Sequence, residues 1–178
     1  MGLTMKSFKP FGSSWLDSPG FCVRELKPGV ARENHRLTDH LPYGDDVIEQ
    51  ALVFDKEGKA LFWLGPKNNT AGSIPDSHLL WDRIWTNRHD IGGVAHTHPW
   101  DGEVWPSGTD LTTFDAIERG LGQKLVWPIL TFTEVKYYVN DGLIDGQPSF
   151  KTTKPPFADS EAWKNNMQEL RRLSQTGG

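Results

Sequence analysis

The pattern of apolar and polar positions first predicts a β-hairpin. Apolar residues fill 51–54 and 60–64, on either side of the polar segment 55–59. Two short apolar runs joined by a glycine-containing turn are typical of a pair of antiparallel strands. Gly58 suits the turn because glycine adopts positive φ angles without steric cost. We therefore predict a hairpin over residues 50–64.

Two later segments carry apolar residues at the spacing of amphipathic α-helices. The first covers about 77–88, with Asp76 as its N-cap, and the second covers 109–119, where two glycines end the pattern. Their apolar faces comprise Leu79, Leu80, Trp81, Ile84, Trp85, Leu111, Phe114 and Ile117. A more polar helix with weak apolar periodicity is predicted from Glu161 to Leu173.

Further strands are predicted in the second half of the chain. The segment 90–93 is expected to turn into a buried strand that begins at Val94. Two more strands are predicted over 124–133 and 135–140. Because proline has no N–H for the sheet ladder, Pro128 indicates that the first of these two lies at an edge or contains a bulge.

The order of the elements predicts the fold class. Asp141-Gly142 is expected to close a turn, and the proline-containing residues 143–158 are expected to be extended. A hairpin, a helix, a strand, a second helix and further strands together predict an α/β (α+β) fold, with a mixed β-sheet flanked by helices. A single domain over 1–178 is expected because no composition shift marks a boundary.

Composition and charge then narrow the function classes. The chain has 178 residues, of which 37% are hydrophobic and 24% charged, as in ordinary globular proteins. A net charge of -4 provides no basic excess, so we expect no nucleic-acid partner. No apolar run is long enough for a membrane span, and the N-terminus lacks the apolar core of a signal peptide. The single cysteine, Cys22, excludes an intrachain disulfide, and these features fit a cytoplasmic enzyme.

Two histidines in alternate positions of the predicted strand indicate a metal site. His96 and His98 point to one face of the strand, while Thr97 points to the other. Two imidazoles on one rigid face form half of a zinc site, and Asp110, at the start of a predicted helix, can supply a third ligand. Three protein ligands with an open fourth position are typical of catalytic zinc sites.

These residues resemble the motif of the JAB/MPN metalloprotease family, also called JAMM. The matching residues are His96-Thr97-His98-Pro99 and Ser107-Gly108-Thr109-Asp110, with Glu49 at the place of the family's upstream glutamate. The resemblance covers roughly 45–140. It departs from the family pattern in the eight residues between His98 and Ser107, one more than usual, and in the absence of the family's frequent Gly and Cys after Glu49.

The resemblance implies a fold and a division of the chain. The fold would be the cytidine-deaminase-like JAB/MPN core, over about 45–142. Residues 1–44 would form an N-terminal arm, and residues 143–178 a C-terminal extension.

The resemblance also implies an activity, the zinc-dependent hydrolysis of peptide or isopeptide bonds. Zn²⁺ would be held by His96, His98 and Asp110, and would lower the pKa of its bound water to about 7. Glu49 would act as the general base and pass the proton to the leaving amine. The Ser107 hydroxyl would donate to the oxyanion of the tetrahedral intermediate. The expected partner is a ubiquitin-like protein or a peptide substrate.

Each of these residues also has a simpler interpretation. Ser107 and Asp110 form an ordinary helix start, with a serine cap and an acid in the first turn. The rivals of Glu49 as the base are Asp45, Asp46, Glu57 and Glu103. Asp101 and Glu103 are expected to be solvated loop acids, and Trp100 and Trp105 either line a substrate groove or pack the loop onto the body. The histidines without ligand-like spacing are His35, His40, His78 and His89.

Two other functions remain open at this point. One is a catalytically inactive JAB-fold protein that serves as a binding or scaffold module. The other is a peptidoglycan or phage-tail peptidase on the same fold. The terminal Gly177-Gly178 resembles the tails of ubiquitin-like proteins, but flexible glycine tails are common.

Overall fold

The structure is a computed structural model that describes residues 47–64 and 78–176. Several predictions lie outside the described residues. They concern the N-terminal arm 1–44, Cys22, His35, His40, Asp45, Asp46, Asp76 and Gly177-Gly178.

The described residues form a mixed α+β fold around a six-stranded sheet. The strands are β1 (Ala51–Asp55), β2 (Ala60–Leu64), β3 (Ile91–Thr97), β4 (Trp127–Leu130), β5 (Val135–Ile144) and β6 (Gln147–Thr153). Their order across the sheet is β2-β1-β3-β4-β5-β6. Only β3 and β4 pair in parallel, and the other neighbours in the sheet pair antiparallel. The strand with the histidines therefore lies in the interior of the sheet.

Three α-helices accompany the sheet in the described part of the chain. They are α1 (His78–Thr86), α2 (Gly108–Leu121) and α3 (Glu161–Thr176), and a short 3-10 turn, Pro156–Asp159, precedes α3. The long crossover between the parallel strands β3 and β4 contains α2, as parallel pairing requires. The buried Glu118 joins α2 to the chain before and within β4, because its Oε1 accepts from Leu125 N at 2.9 Å and from Trp127 Nε1 at 2.8 Å.

The two faces of the sheet bury separate apolar cores. Strand side chains alternate between faces, so Val53 packs on the side of α1 and α2, while Leu52 and Phe54 pack on the side of α3. On the α3 side, Trp163 and Leu170 are fully buried. The helices therefore cover both faces, and the sheet forms the middle layer.

The hairpin is confirmed: β1 and β2 pair antiparallel, and Gly58 has a φ of 81°. The strand with the histidines begins earlier than predicted, at Ile91, so the predicted turn over 90–93 was wrong. Glycines at 92 and 93 fit this strand because the backbones of its neighbours approach closely.

Pro128 lies in an interior strand, so the prediction of an edge was wrong. The pairing of β3 with β4 is interrupted beside it: it resumes with His96 opposite Ile129, after an isolated bridge between Gly93 and Val126. The missing N–H of proline falls in this gap, which is how an interior strand accommodates it.

The predicted turn at Asp141-Gly142 was also wrong. Strand β5 continues through it to Ile144, with a register shift between Asn140 and Gly142, where Gly142 has a φ of 102°. Such a glycine is typical of a β-bulge, which inserts a residue without ending the strand. The turn lies instead at Asp145-Gly146, and both of these residues have positive φ.

The segment 143–176 contributes β6 and α3 to the sheet and to the core on the α3 side. Among the described residues, no helix combines the length and the apolar character needed to cross a membrane.

Candidate metal centre

Strand β3 places the two histidines on the face of the sheet that α2 covers. His96 pairs with Ala51 on one side and with Ile129 on the other, so its backbone is fixed by two neighbouring strands. His98 follows the end of β3 and remains tied to the sheet, because its N–H donates to Leu130 O at 2.7 Å. The two rings lie 4.9 Å apart and are almost completely buried.

The start of α2 places Asp110 against these rings. Ser107 is the N-cap of α2, and its Oγ accepts from Asp110 N at 3.0 Å. The Asp110 carboxylate reaches back, where Oδ2 accepts from Ser107 N at 2.6 Å and from Ser107 Oγ at 2.8 Å. This reciprocal capping box fixes the carboxylate in one orientation.

The three predicted ligands converge on one point. The Nε2 atoms of His96 and His98 lie 3.1 Å apart. Asp110 Oδ1 lies 3.2 Å from His96 Nε2, and Asp110 Oδ2 lies 3.3 Å from His98 Nε2. Zn–N and Zn–O bonds of about 2.0–2.1 Å in a tetrahedron place neighbouring ligand atoms about 3.3 Å apart. The donor set and its spacing are therefore compatible with zinc, and these residues could hold a metal ion.

Burial and charge keep these groups in forms suited to a metal. Burial lowers the pKa of His98, which favours the neutral ring and a free lone pair on nitrogen. Burial acts to raise the pKa of Asp110, but the electrostatic and hydrogen-bond interactions with the two imidazoles outweigh it and hold that pKa well below its usual range. Asp110 is therefore an ionised carboxylate at neutral pH.

Aromatic rings enclose the histidines, as expected for a largely dehydrated site. Trp100 lies against the His98 ring at 4.5 Å between centroids, and Phe114 of α2 lies edge-on to His96 at 6.0 Å. Among the described residues, Nδ1 of His98 has no hydrogen-bond partner. The orientation of this ring therefore depends on packing rather than on a second polar contact.

Glu49 lies on the same face of the sheet as the histidines. Ala51 is paired with His96, so continuation of the antiparallel register places Glu49 opposite His98. The pKa of Glu49 is raised well above the usual value, first by burial and then by the negative charge of Asp110. The second effect acts through the charge of Asp110, so Glu49 lies within electrostatic range of that carboxylate.

The rivals of Glu49 lie elsewhere or outside the described residues. Glu57 is exposed in the β1–β2 turn, where it pairs with Lys59. Glu103 is exposed in the loop between β3 and α2, with its Oε1 3.7 Å from the ammonium of Lys136. Neither supplies an atom to the converging group.

The loop between β3 and α2 carries the remaining predicted residues. Asp101 and Glu103 are exposed, as expected for solvated loop acids. Trp105 is 60% exposed, and the ammonium of Lys136 lies 4.6 Å from the centre of its ring. Trp100 packs on His98, whereas Trp105 presents its ring to solvent, so the two tryptophans differ in role. His89 is also exposed and lies outside the site.

A contact between two hydroxyl groups, on the face of β3 opposite the histidines, was not predicted from the sequence. Thr97 Oγ1 accepts from Gln50 N and lies 2.9 Å from Ser174 Oγ in the last turn of α3. The alternation along β3 predicts that Thr97 points away from the metal, but nothing in the local sequence of α3 indicates that Ser174 approaches it. The contact joins residues 77 positions apart.

Comparisons with known proteins add no family assignment. No protein-family model matches the chain, and no curated protein matches it. Any functional conclusion therefore depends on the geometry of the site itself.

Proposed function

We propose that this protein is a zinc-dependent hydrolase of peptide or isopeptide bonds of the JAB/MPN type. The supporting observation is the convergence of His96 Nε2, His98 Nε2 and the Asp110 carboxylate, with spacings of 3.1–3.3 Å, on the face of the sheet to which the strand register also assigns Glu49. Three ligands of this kind leave a fourth position for water or substrate, which is the arrangement of catalytic rather than structural zinc.

Glu49 is proposed to move the proton in this reaction. When bound, zinc would act as a Lewis acid that polarises the scissile carbonyl and acidifies a water molecule. The Glu49 carboxylate would accept a proton as that water attacks and would deliver it to the leaving nitrogen. In the metal-free protein, burial and then the charge of Asp110 raise the pKa of Glu49, which moves it toward the range in which a general base works best. The products are a carboxylic acid and an amine.

The proposed role of Ser107 is more limited. Its hydroxyl has one hydrogen, which points to Asp110 Oδ2 in the structure. The supported role is therefore the orientation of Asp110. Donation to an oxyanion would require the hydroxyl to rotate away from that carboxylate.

The proposed substrate is the C-terminal region of a ubiquitin-like protein, joined to a lysine or to a following peptide. Trp105 gives an exposed aromatic surface in the loop that leads to Ser107 and Asp110, and the ammonium of Lys136 lies over its ring. Both features suit an extended peptide with a carbonyl-rich backbone.

The test is the combination of zinc content with hydrolysis. The purified protein is loaded with zinc, and cleavage is measured on ubiquitin-like proteins that carry a C-terminal amide reporter, and on short peptide amides. We expect about one zinc per chain, and we expect Glu49→Gln to keep the zinc while hydrolysis falls by about 10²–10⁴. Cleavage that persists fully in the metal-free protein would exclude the proposal. A zinc-loaded wild type that binds these substrates without cleaving them would favour a binding module.

A further inference from the structure

The last turn of α3 is hydrogen-bonded to the segment that carries Glu49. Ile48 N donates to Ser174 O at 3.0 Å, and Ser174 Oγ donates to Ile48 O. The Ser174 side chain is completely buried. One residue of the helix therefore satisfies both backbone groups of Ile48.

Thr97 holds the other side of Glu49. Its Oγ1 accepts from Gln50 N at 2.9 Å, and its own N–H donates to Gln50 O at 2.9 Å. Thr97 Oγ1 also lies 2.9 Å from Ser174 Oγ, so the two hydroxyls share a hydrogen bond. Thr97 is as deeply buried as the core residues around it. We call these contacts the Thr97–Ser174 clamp.

The clamp acts on the neighbours of Glu49 from the opposite face of the sheet. Residues 48 and 50 are held by it, and the alternation of the strand assigns Glu49, between them, to the face that carries His96 and His98. The segment 47–50 precedes strand β1 and lies outside its regular hydrogen-bond ladder. The hydroxyls of Thr97 and Ser174 therefore supply hydrogen bonds that a neighbouring strand would provide if β1 began earlier. Thr97 lies between the two histidines in sequence. The strand therefore positions the metal ligands on one face of the sheet, and from the other face Thr97 holds the segment that carries Glu49.

We propose that Thr97 and Ser174 are positioning residues for Glu49, and that the last turn of α3 is therefore part of the catalytic apparatus. This inference rests on the proposed role of Glu49 as general base. Catalytic groups must be held within about 0.5 Å of their productive position, and a displacement of about 1 Å can cost about 10²-fold in rate. Two hydrogen-bonded neighbours restrict Glu49 in the way that such precision requires.

The test uses substitutions that remove one hydroxyl at a time. Thr97→Val removes the hydroxyl at nearly constant shape, Thr97→Ser restores it, and Ser174→Ala removes the second hydroxyl. Ser160→Ala is the matched control, because Ser160 Oγ accepts from Trp163 N at the other end of α3, far along the chain from the clamp. This variant weakens the same helix without removing a contact to residues 48–50.

The first readout is amide hydrogen exchange in the metal-free protein, which needs no activity. We expect Thr97→Val to accelerate exchange of the Gln50 amide by at least about tenfold, while exchange of core amides stays unchanged, because the buried Gln50 N–H loses its acceptor. Ser174→Ala keeps the carbonyl that accepts from Ile48 N but removes the hydroxyl that donates to Ile48 O. Exchange at Ile48 should therefore also accelerate, because the segment is held less firmly, but by less than exchange at Gln50 in Thr97→Val. Thr97→Ser should restore protection at Gln50. Unchanged protection at both amides would overturn the inference, whatever the activity of the protein.

The second readout is steady-state hydrolysis by zinc-loaded variants of equal zinc content. We expect kcat to fall by about 10–100-fold in Thr97→Val and Ser174→Ala with little change in KM, and Ser160→Ala to keep kcat within about twofold. A kcat that stays at the wild-type level, or one that falls only in proportion to lost zinc, would contradict a role through Glu49. If the wild type hydrolyses nothing, the proposed function fails, and the exchange data still decide whether the clamp holds the Glu49 segment.

Discussion

His96 and His98 present their Nε2 atoms to each other at a distance of 3.1 Å, with the Asp110 carboxylate 3.2–3.3 Å from both. Burial lowers the pKa of His98, which favours the neutral ring and avoids repulsion between two charged imidazoles at this distance. The preceding strand and the capped helix fix the three side chains independently. The backbone therefore preorganises the site for a cation, and the contacts of the two rings with Asp110 add to this.

Removal of the Asp110 carboxylate should strongly weaken metal binding while the fold remains. In Asp110→Asn, we expect the zinc affinity to fall by at least about 100-fold, because a charged ligand is replaced by a weak neutral one. The affinity is measured by competition with a chromophoric chelator. Asp115→Asn is the control on the same helix, since Asp115 pairs with Arg119 away from the site. Equal zinc affinities in the two variants would show that Asp110 is not a ligand.

Neutralisation of Glu49 should stabilise the metal-free protein at neutral pH. The folded-state pKa of Glu49 is raised by burial and by Asp110, so its contribution to stability is fully present in acid and is lost as the pH rises through that pKa. Glu49→Gln has no carboxyl group to ionise, so it does not lose this stability as the pH rises. We therefore expect its Tm to exceed that of the wild type at pH 7.5 by a few degrees, since about 1 kcal/mol corresponds to about 2–4 °C.

The difference in Tm between the two proteins should vanish near pH 4, where Glu49 is protonated in both the folded and the unfolded wild type. Glu103→Gln, at an exposed position, is the control and should leave the Tm nearly unchanged at both pH values. A Glu49→Gln protein that melts at or below the wild-type temperature at pH 7.5 would contradict the burial of an ionisable group at this position.

Substitutions of Ser107 separate its cap from any contact with substrate. Ser107→Ala removes both the cap and the hydroxyl and should cost about 0.5–2 kcal/mol of stability, whereas Ser107→Gly should cost only a few tenths of a kcal/mol. Since the hydroxyl hydrogen points to Asp110, we expect Ser107→Gly to lower zinc affinity and to keep kcat at zinc saturation within about tenfold. A loss of about 10²–10³ in kcat at full zinc occupancy would instead assign the hydroxyl to the oxyanion.

Gly93 should tolerate no side chain. A Cβ at this position would lie 1.9 Å from Val126 O and 2.6 Å from Phe54 Cζ, at the junction of three strands. We expect Gly93→Ala to lower the free energy of unfolding by at least about 3 kcal/mol, at the upper end of overpacking effects. The control is Gly108→Ala, where the Cβ would meet nothing within 4 Å. Chemical denaturation of both variants makes the comparison, and similar stabilities would contradict the close strand approach.

Local patterns predicted the parts of this fold that local physics decides. The apolar runs around Gly58 indicated the hairpin, and helical spacing over 109–119 indicated α2, which extends from Gly108 to Leu121. The alternation of His96 and His98 indicated their common face. Each of these features depends on neighbours within a few residues, so the sequence carries it directly.

Features that depend on distant partners were not predictable in this way. Pro128 occupies an interior strand because the ladder on the side of β3 has a gap there, which only the paired strand shows. The contact of Ser174 with Ile48 joins positions 126 residues apart, and a serine near the end of a polar helix gives no local indication of it. The Asp141-Gly142 pair is compatible with either a turn or a bulge, and the partner strand β6 selects the bulge.

The most direct test of the metal centre is anomalous diffraction at the zinc edge, on crystals of the zinc-loaded protein. We expect one strong peak about 2.0–2.2 Å from His96 Nε2, His98 Nε2 and a carboxylate oxygen of Asp110. We also expect the Glu49 carboxylate to lie close enough to the metal to hydrogen-bond a water molecule bound to it. Crystals that contain zinc without a peak among these three residues, or with Glu49 turned away from the peak, would rule out this metal centre.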